Sequence, residues 1–239
     1  MNVSKKVKNS KVFNTGKIEG IGAKSGVDEK YRKIMRDYEL SKNEIAYLKS
    51  VLKNSRSEPE EIFADDQILD SIFKQEYQRM AREIDESADA LHEAETLFAI
   101  RDAVYFFQAS AELAKRPHAA PRKHPRKSTK IICMCSVVES VKVKEKGKTK
   151  SKLRLTDKVF QCEVIDVSIG GCAVNSKASI RAGTQLKIEF KAGRSNVAAL
   201  GQILRVNRGA DGIIFHIQFL KVPPKTGCKL NAFIYSYAN

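Results

Sequence analysis

A carboxylate, a hydroxyl and two glycines lie close together in the segment Asp166-Val167-Ser168-Ile169-Gly170-Gly171. Alternating apolar residues precede and follow it, and this alternation predicts a strand on each side. The two polar side chains could hydrogen-bond a molecule held at the turn. The glycines would allow a positive φ and a close approach of a ligand to the backbone. A plain turn with a glycine bulge accounts for the segment equally well.

Two arginines precede this segment, in Pro121-Arg122-Lys123-His124-Pro125-Arg126. A guanidinium group can bind a phosphate through two hydrogen bonds, pair with the O6/N7 edge of guanine, or stack on a base. Taken alone, the pair also fits a basic linker without a ligand. Candidates for additional contacts to a ligand are Lys123, Arg205 and Arg208.

In this order, the Arg-x-x-x-Arg pair and the Asp-x-Ser-x-x-Gly segment resemble the PilZ domain family. The resemblance implies a small antiparallel β-barrel that binds the bacterial second messenger cyclic di-GMP (c-di-GMP). Forty positions separate Arg126 from Asp166, which is more than the family usually has. A lysine-rich hairpin tip between the two motifs accounts for the excess.

The resemblance assigns ligand contacts to six positions, namely Arg122, Arg126, Asp166, Ser168, Gly170 and Gly171. It implies that the arginines bind phosphates and guanines, and that the carboxylate accepts hydrogen bonds from guanine N1–H and N2–H₂. The serine would add a hydroxyl, and the glycines would keep the wall of the site free of side chains.

Charge is distributed unevenly along the chain. Residues 30–115 carry a net charge of −5, whereas residues 116–239 carry a net charge of +17. This contrast predicts two modules with different partners, and the basic one requires an anionic partner: a phosphate-bearing ligand, nucleic acid or an acidic protein. No apolar run approaches the roughly 20 residues of a membrane span, so we expect a cytoplasmic protein.

The N-terminal half predicts a flexible basic tail at 1–28 and a helical domain at 29–115. Ser41-Lys42-Asn43-Glu44 is typical of a capping box, and Ser57-Glu58-Pro59-Glu60 repeats the pattern with proline in the first turn. Apolar spacing then predicts a long helix from about Gln75 to Ala114, roughly 50–60 Å in length. Such a helix either kinks or extends to meet a partner.

The C-terminal half predicts a linker at 116–128, because its prolines disfavour helix, and a barrel domain at 129–239. We expect six strands, a lysine-tipped hairpin over Lys142–Lys152, a turn at Gly209–Gly212 and a short closing helix over Leu230–Tyr235. The linker histidines receive no role. The helical and strand patterns together predict an α+β protein. The resemblance implies that the strands after the helical domain form a six-stranded antiparallel barrel, in an arrangement similar to spirochaete PilZ proteins.

Five cysteines are present, and four lie in apolar, strand-like segments. Cys133-x-Cys135 would place both side chains on one strand face, without the histidine spacing of a zinc site. We therefore expect buried, reduced thiols, with neither a metal site nor a cofactor.

Motifs for a nucleophile elbow, a phosphate loop or a metal-spaced histidine cluster are absent from the sequence, which favours a non-enzymatic protein. The first hypothesis is a c-di-GMP receptor that changes its domain arrangement and regulates motility, attachment or virulence. Its helical domain would bind a protein partner. The alternatives are a basic barrel that binds nucleic acid and a degenerate PilZ adaptor without a ligand.

Overall fold

The computed structural model describes residues 26–114, 122–145, 148–209 and 212–238, without the side chains of 26–28, 143–145, 148 and 150. Most of the predicted basic tail, the first part of the linker, the lysine tip and the centre of the Gly209–Gly212 turn lie outside these residues.

Within residues 26–114 the structure contains five helices: α1 (Gly26–Asp37), α2 (Lys42–Leu52), α3 (Pro59–Ala64), α4 (Asp66–Met80) and α5 (Ala88–Leu113). The predicted capping box begins α2, since the Ser41 hydroxyl accepts from the backbone of Glu44 and the Glu44 carboxylate accepts from the backbone of Ser41. The prediction of a helical region is confirmed.

Two details of this region were wrong in the sequence prediction. The residue that caps α3 is Glu58, not Ser57, and its backbone N–H donates to the Glu61 carboxylate at 3.2 Å. The single long helix is in fact two helices, because the chain turns between Met80 and Ala88. The Ser87 hydroxyl accepts from the backbone N–H of Ala90 at 3.2 Å and so begins a new helix.

Six antiparallel strands close into a barrel in the order β1-β2-β3-β6-β5-β4. They are β1 (Lys127–Glu145), β2 (Lys148–Ser168), β3 (Gly171–Ser176), β4 (Gln185–Ala192), β5 (Ser195–Gly209) and β6 (Gly212–Lys221). The predicted fold class is confirmed. The predicted hairpin is not separate from the first two strands, because β1 and β2 run through it and pair along their whole length.

A sixth helix, α6 (Pro224–Ile234), begins earlier than predicted, with its prolines at the start. Leu230 and Ile234 belong to the core inside the barrel, whereas Cys228 and Ala232 belong to the core of the N-terminal helices. One helix therefore contributes to both cores.

The chain that follows α6 is fixed to the N-terminal helices by a buried polar cluster. Arg101 of α5, only 7% exposed, pairs with Asp70 of α4 at 2.7 Å. The hydroxyl of Tyr237 donates to the same aspartate, and the Arg101 guanidinium lies 5.0 Å from the ring centre of Tyr235. If the helices and the barrel came apart at 116–128, the apolar residues that α6 contributes to the helical core would be exposed. The domain boundary at 116–128 remains a prediction.

Among the helices of the described residues, none is both long enough and apolar enough to cross a membrane.

We expect Tyr237→Ala to lower the free energy of unfolding by about 3–5 kcal/mol, because it leaves a cavity where an aromatic ring is 1% exposed. Tyr237→Phe keeps the ring and loses only the hydrogen bond to Asp70, so it should cost about 1.5 kcal/mol. Urea unfolding followed by far-ultraviolet circular dichroism measures both. An alanine variant as stable as the phenylalanine variant would show that the ring does not hold the junction together.

Candidate functional site

A cleft of about 300 Å³ lies where the linker meets the turn between β2 and β3 and the adjoining strands β5 and β6. Its lining residues are Arg122, Lys123, His124, Arg126, Ser168, Gly170, Gly171, Cys172, Leu204, His216, Ile217 and Gln218. Five of the six principal residues predicted from the sequence line this cleft, and the sixth, Asp166, contacts it through Arg126.

The pairing of β1 with β2 brings the two sequence motifs together. Ser128 lies opposite Asp166 in this ladder, so the residues just before β1 pass beside the carboxylate. The Arg126 guanidinium donates to the Asp166 carboxylate at 3.0 Å, with the two side chains 40% and 29% exposed. The long spacing between the motifs is therefore the outward and return path of a long hairpin, and it does not separate them.

This ion pair is weak enough to open. Because both groups are partly in water, their interaction contributes about 0–1 kcal/mol to stability. A phosphate could replace the carboxylate on Arg126, and hydrogen-bond donors could replace the guanidinium on Asp166.

Ser168 and the glycines have different roles at the turn. The buried Ser168 hydroxyl donates to the carbonyl of Gly171 at 3.2 Å, so it stabilises the turn itself. A Cβ on Gly171 would lie 2.1 Å from the carbonyl oxygen of Ile217, so glycine is needed there for packing of β3 on β6. A Cβ on Gly170 would have nothing within 4 Å, so this residue forms the open wall predicted for a ligand.

The positive φ expected at these glycines was wrong. Among the described residues, the glycines with positive φ are Gly183, Gly193 and Gly212. Close strand packing accounts for Gly171 instead.

The cleft carries positive charge. Arg122 and Lys123 are exposed on its rim, and neither forms an ion pair with any residue in the described part of the chain. Arg205 on β5 is the cross-strand partner of His216, which lines the cleft. Burial of His216 lowers its pKa, and the positive charge of Arg205 lowers it further. Arg208, further along β5, is exposed and is not a lining residue, so the structure does not bring it to the site.

Sequence reasoning missed four lining residues on β5 and β6, which are Leu204, His216, Ile217 and Gln218. His216, predicted to be a surface residue without a role, lines the cleft together with Gln218 and accompanies Leu204, whose side chain is 58% exposed. A register shift between Ile203 and Arg205 alters the alternation of β5 at this point. Nothing in the local sequence marks that shift, so the apolar wall of the cleft was not predictable.

His124, given no role from the sequence, joins the linker to the helices. Its Nδ1 lies 2.8 Å from a carboxylate oxygen of Asp102 on α5. The other oxygen of Asp102 accepts from the hydroxyl of Tyr235 at 2.5 Å. The residue between the two arginines therefore contacts the helical region directly.

Lys127, the first residue of β1, fixes the other end of this segment. Its ammonium group donates to the carbonyl of Phe233 at 2.7 Å and to the hydroxyl of Ser236 at 2.8 Å. Burial lowers the pKa of Lys127. Within six residues, 122–127, the chain contacts α5, β2 and the end of α6.

A closed six-stranded barrel with a cationic cleft beside an arginine-bearing segment defines a class of protein, a small β-barrel domain suited to an anionic ligand. Comparison with known proteins finds a matching family for this part of the chain. Residues 121–236 match the family model of the PilZ domain.

Solved structures with a similar fold cover 48% of this chain. The PilZ domain with c-di-GMP of YcgR from Escherichia coli is 16% identical over 89% of its length, with a TM-score of 0.34. YcgR in complex with c-di-GMP from the same organism is 19% identical over 45% of its length, with a TM-score of 0.36. The Bacillus subtilis inhibitor of motility, MotI/DgrA, is 10% identical over 50% of its length, with a TM-score of 0.38.

The chain therefore spans about half the length of the last two proteins. The search of curated proteins gave no match.

The two glycines of the turn provide a matched pair of variants. We expect Gly171→Ala to lower the free energy of unfolding by at least about 1–3 kcal/mol. The methyl group of the alanine would collide with the backbone carbonyl of Ile217, which cannot move freely. Gly170→Ala should change stability by less than about 0.5 kcal/mol, because its methyl group enters open space. Thermal or urea unfolding compares them, and equal destabilisation by both would contradict the packing described here.

Proposed function

We propose that the cleft binds c-di-GMP and that the protein is a receptor for this second messenger. The observation that carries the proposal is the Arg126–Asp166 pair, placed by the β1–β2 register beside Arg122 and the open wall at Gly170. The match of residues 121–236 to the PilZ domain model supports the choice of ligand.

Each part of the ligand meets a suitable group. The guanidinium groups of Arg122 and Arg126 match its phosphates, and they can also stack on guanine or bind its O6/N7 edge. The Asp166 carboxylate accepts from the N1–H and N2–H₂ groups of guanine, an edge that adenine does not present. The exposed side chain of Leu204 offers an apolar surface to a base plane. Binding replaces the Arg126–Asp166 ion pair with these contacts.

The same segment suggests how binding reaches the helices. His124 lies between the two arginines and contacts Asp102 of α5, while Asp102 also holds Tyr235 beyond α6. A ligand that binds Arg122 and replaces the Arg126–Asp166 ion pair would shift the segment between the two arginines, and with it the contact of His124 with Asp102. We infer a change in the arrangement of the helices and the barrel, brought about by differential contacts in the two states.

The acidic helical region is the surface we assign to a protein partner, and the regulated process we propose is motility, attachment or virulence. Both assignments rest on the family resemblance. The function we infer is recognition without catalysis. The +17 charge of the C-terminal half keeps nucleic-acid binding as the second candidate.

Isothermal titration calorimetry with c-di-GMP, c-di-AMP and GTP tests the proposed ligand. We expect binding of c-di-GMP alone, and a loss of about 1.5–3 kcal/mol of binding free energy in Arg122→Ala and in Asp166→Ala. Arg208→Ala is the matched control, because it removes an exposed arginine of the same barrel outside the cleft.

Equal affinity for c-di-GMP and c-di-AMP would contradict the role of Asp166. A DNA or RNA oligonucleotide that binds with steep salt dependence, in a protein that ignores c-di-GMP, would instead establish the second candidate.

Amide hydrogen exchange and a distance measurement between spin labels test the rearrangement. We expect c-di-GMP to slow exchange in residues 122–128 and to change the distance between labels at the exposed positions Glu86 and Lys158. Arg126→Ala should abolish both responses and preserve the helical circular dichroism. Binding of c-di-GMP without any change in the distance would confine its effect to the barrel.

A further inference from the structure

Three cysteine thiols meet inside the barrel. Cys133 and Cys135 are two residues apart on β1 and so lie on the same, buried face of the strand. Cys162 of β2 is the direct cross-strand partner of Cys133. Their three sulfur atoms all lie within 4.8 Å of one another, and the residues are 1%, 0% and 5% exposed. None of them forms a disulfide.

We propose that Cys133, Cys135 and Cys162 bind a thiophilic metal ion, zinc(II) or copper(I), at a site separate from the nucleotide cleft. The remainder of the barrel core is largely valine, isoleucine, leucine and phenylalanine. Three thiols at one point of such a core form a donor set rather than ordinary packing, because soft sulfur ligands select these ions.

The spacing suits metal coordination. Four sulfurs around a zinc ion with bonds of about 2.3 Å lie roughly 3.8 Å apart. The three sulfurs therefore need to approach one another by no more than about 1 Å, which side-chain rotation can supply without a change of strand register.

Metal binding would also balance charge in the barrel core, where all three cysteines are buried. A thiolate is the form that binds metals. A negative sulfur in an apolar core is costly unless a positive charge accompanies it, and a metal ion supplies that charge.

A fourth metal ligand and a route for the ion to enter are both available on the side of the barrel where Ser176 lies. Ser176 of β3 is the cross-strand partner of Cys162 and is 4% exposed. Both residues line a second cleft, of about 380 Å³, on the barrel surface. Zinc would complete four-coordination with the Ser176 oxygen or with a water in this cleft, whereas copper(I) would need only the three sulfurs.

The sequence could not reveal this site. Cys133-x-Cys135 alone lacks a third ligand within any standard spacing. Only the register of β2 on β1 adds Cys162.

Metal titration of the reduced, full-length protein tests the proposal. One arm uses zinc(II), in competition with a chromophoric chelator, and the other uses copper(I), in competition with a copper(I) chelator. We expect one ion per chain in at least one arm, and the arm with the tighter binding identifies the metal. Binding should raise the thermal midpoint as metal concentration increases.

Cys133→Ala and Cys162→Ala should each weaken binding roughly tenfold or more. Cys172→Ala is the matched control, because it removes a buried barrel cysteine that is outside the cluster, and it should bind metal like the wild type. Wild-type protein that takes up neither ion, or variants that bind as tightly as the wild type, would overturn the proposal.

Cobalt(II) provides a readout on the wild-type chain, so the result does not depend on a variant that fails to fold. Sulfur-to-cobalt charge-transfer absorption of the strength given by three thiolates supports the site. Cobalt bound without such absorption contradicts it.

Discussion

The register of β2 against β1 is the constraint on which both sites depend. It sets Asp166 opposite Ser128, and so beside Arg126, and it sets Cys162 opposite Cys133. Because side chains alternate between the two faces of a strand, a slip by one residue would turn the thiols outward and separate the ion pair. The buried valines and cysteines of the barrel core oppose such a slip, so core packing also maintains the functional geometry.

The second organising feature is the shared position of α6 and the residues after it. This segment contributes side chains to the barrel core and to the helical core, and Tyr235 and Tyr237 hydrogen-bond to acidic residues of α5 and α4. The arginine-bearing segment contacts the same junction through His124 and Lys127. The segment that lines the cleft therefore also belongs to the interface between helices and barrel.

Local patterns in the sequence predicted a large part of this structure. Apolar runs, some of them alternating with polar residues, indicated where strands occur, and the Ser41–Glu44 pair located the start of α2. The break at Ser87 was missed because the apolar spacing continues through it, and Ile84, fully buried in the turn, extends that spacing. Features that depend on several strands at once were beyond reach, as the bulge that exposes Leu204 and the third thiol of the cysteine cluster show.

The residues predicted for the ligand site were chosen by their order along the chain, and the geometry gives several of them structural roles instead. Gly171 serves strand packing, Ser168 holds the turn, and Gly170 forms the open wall. Arg205 acts on His216, its cross-strand partner, whereas Arg208 is not among the residues that line the cleft. The spacing of these residues identifies the motif. The close approach of β6 to the turn determines the role of Gly171.

The hydrogen bond between Tyr237 and Asp70 has a consequence for how the protein is made. The two residues are 167 positions apart, so the first helices leave the ribosome long before the residue that completes their core. At ordinary rates of synthesis this interval is about 10–30 s. During that time the helical region exposes the apolar surface later covered by α6, and it is then open to chaperones and proteases.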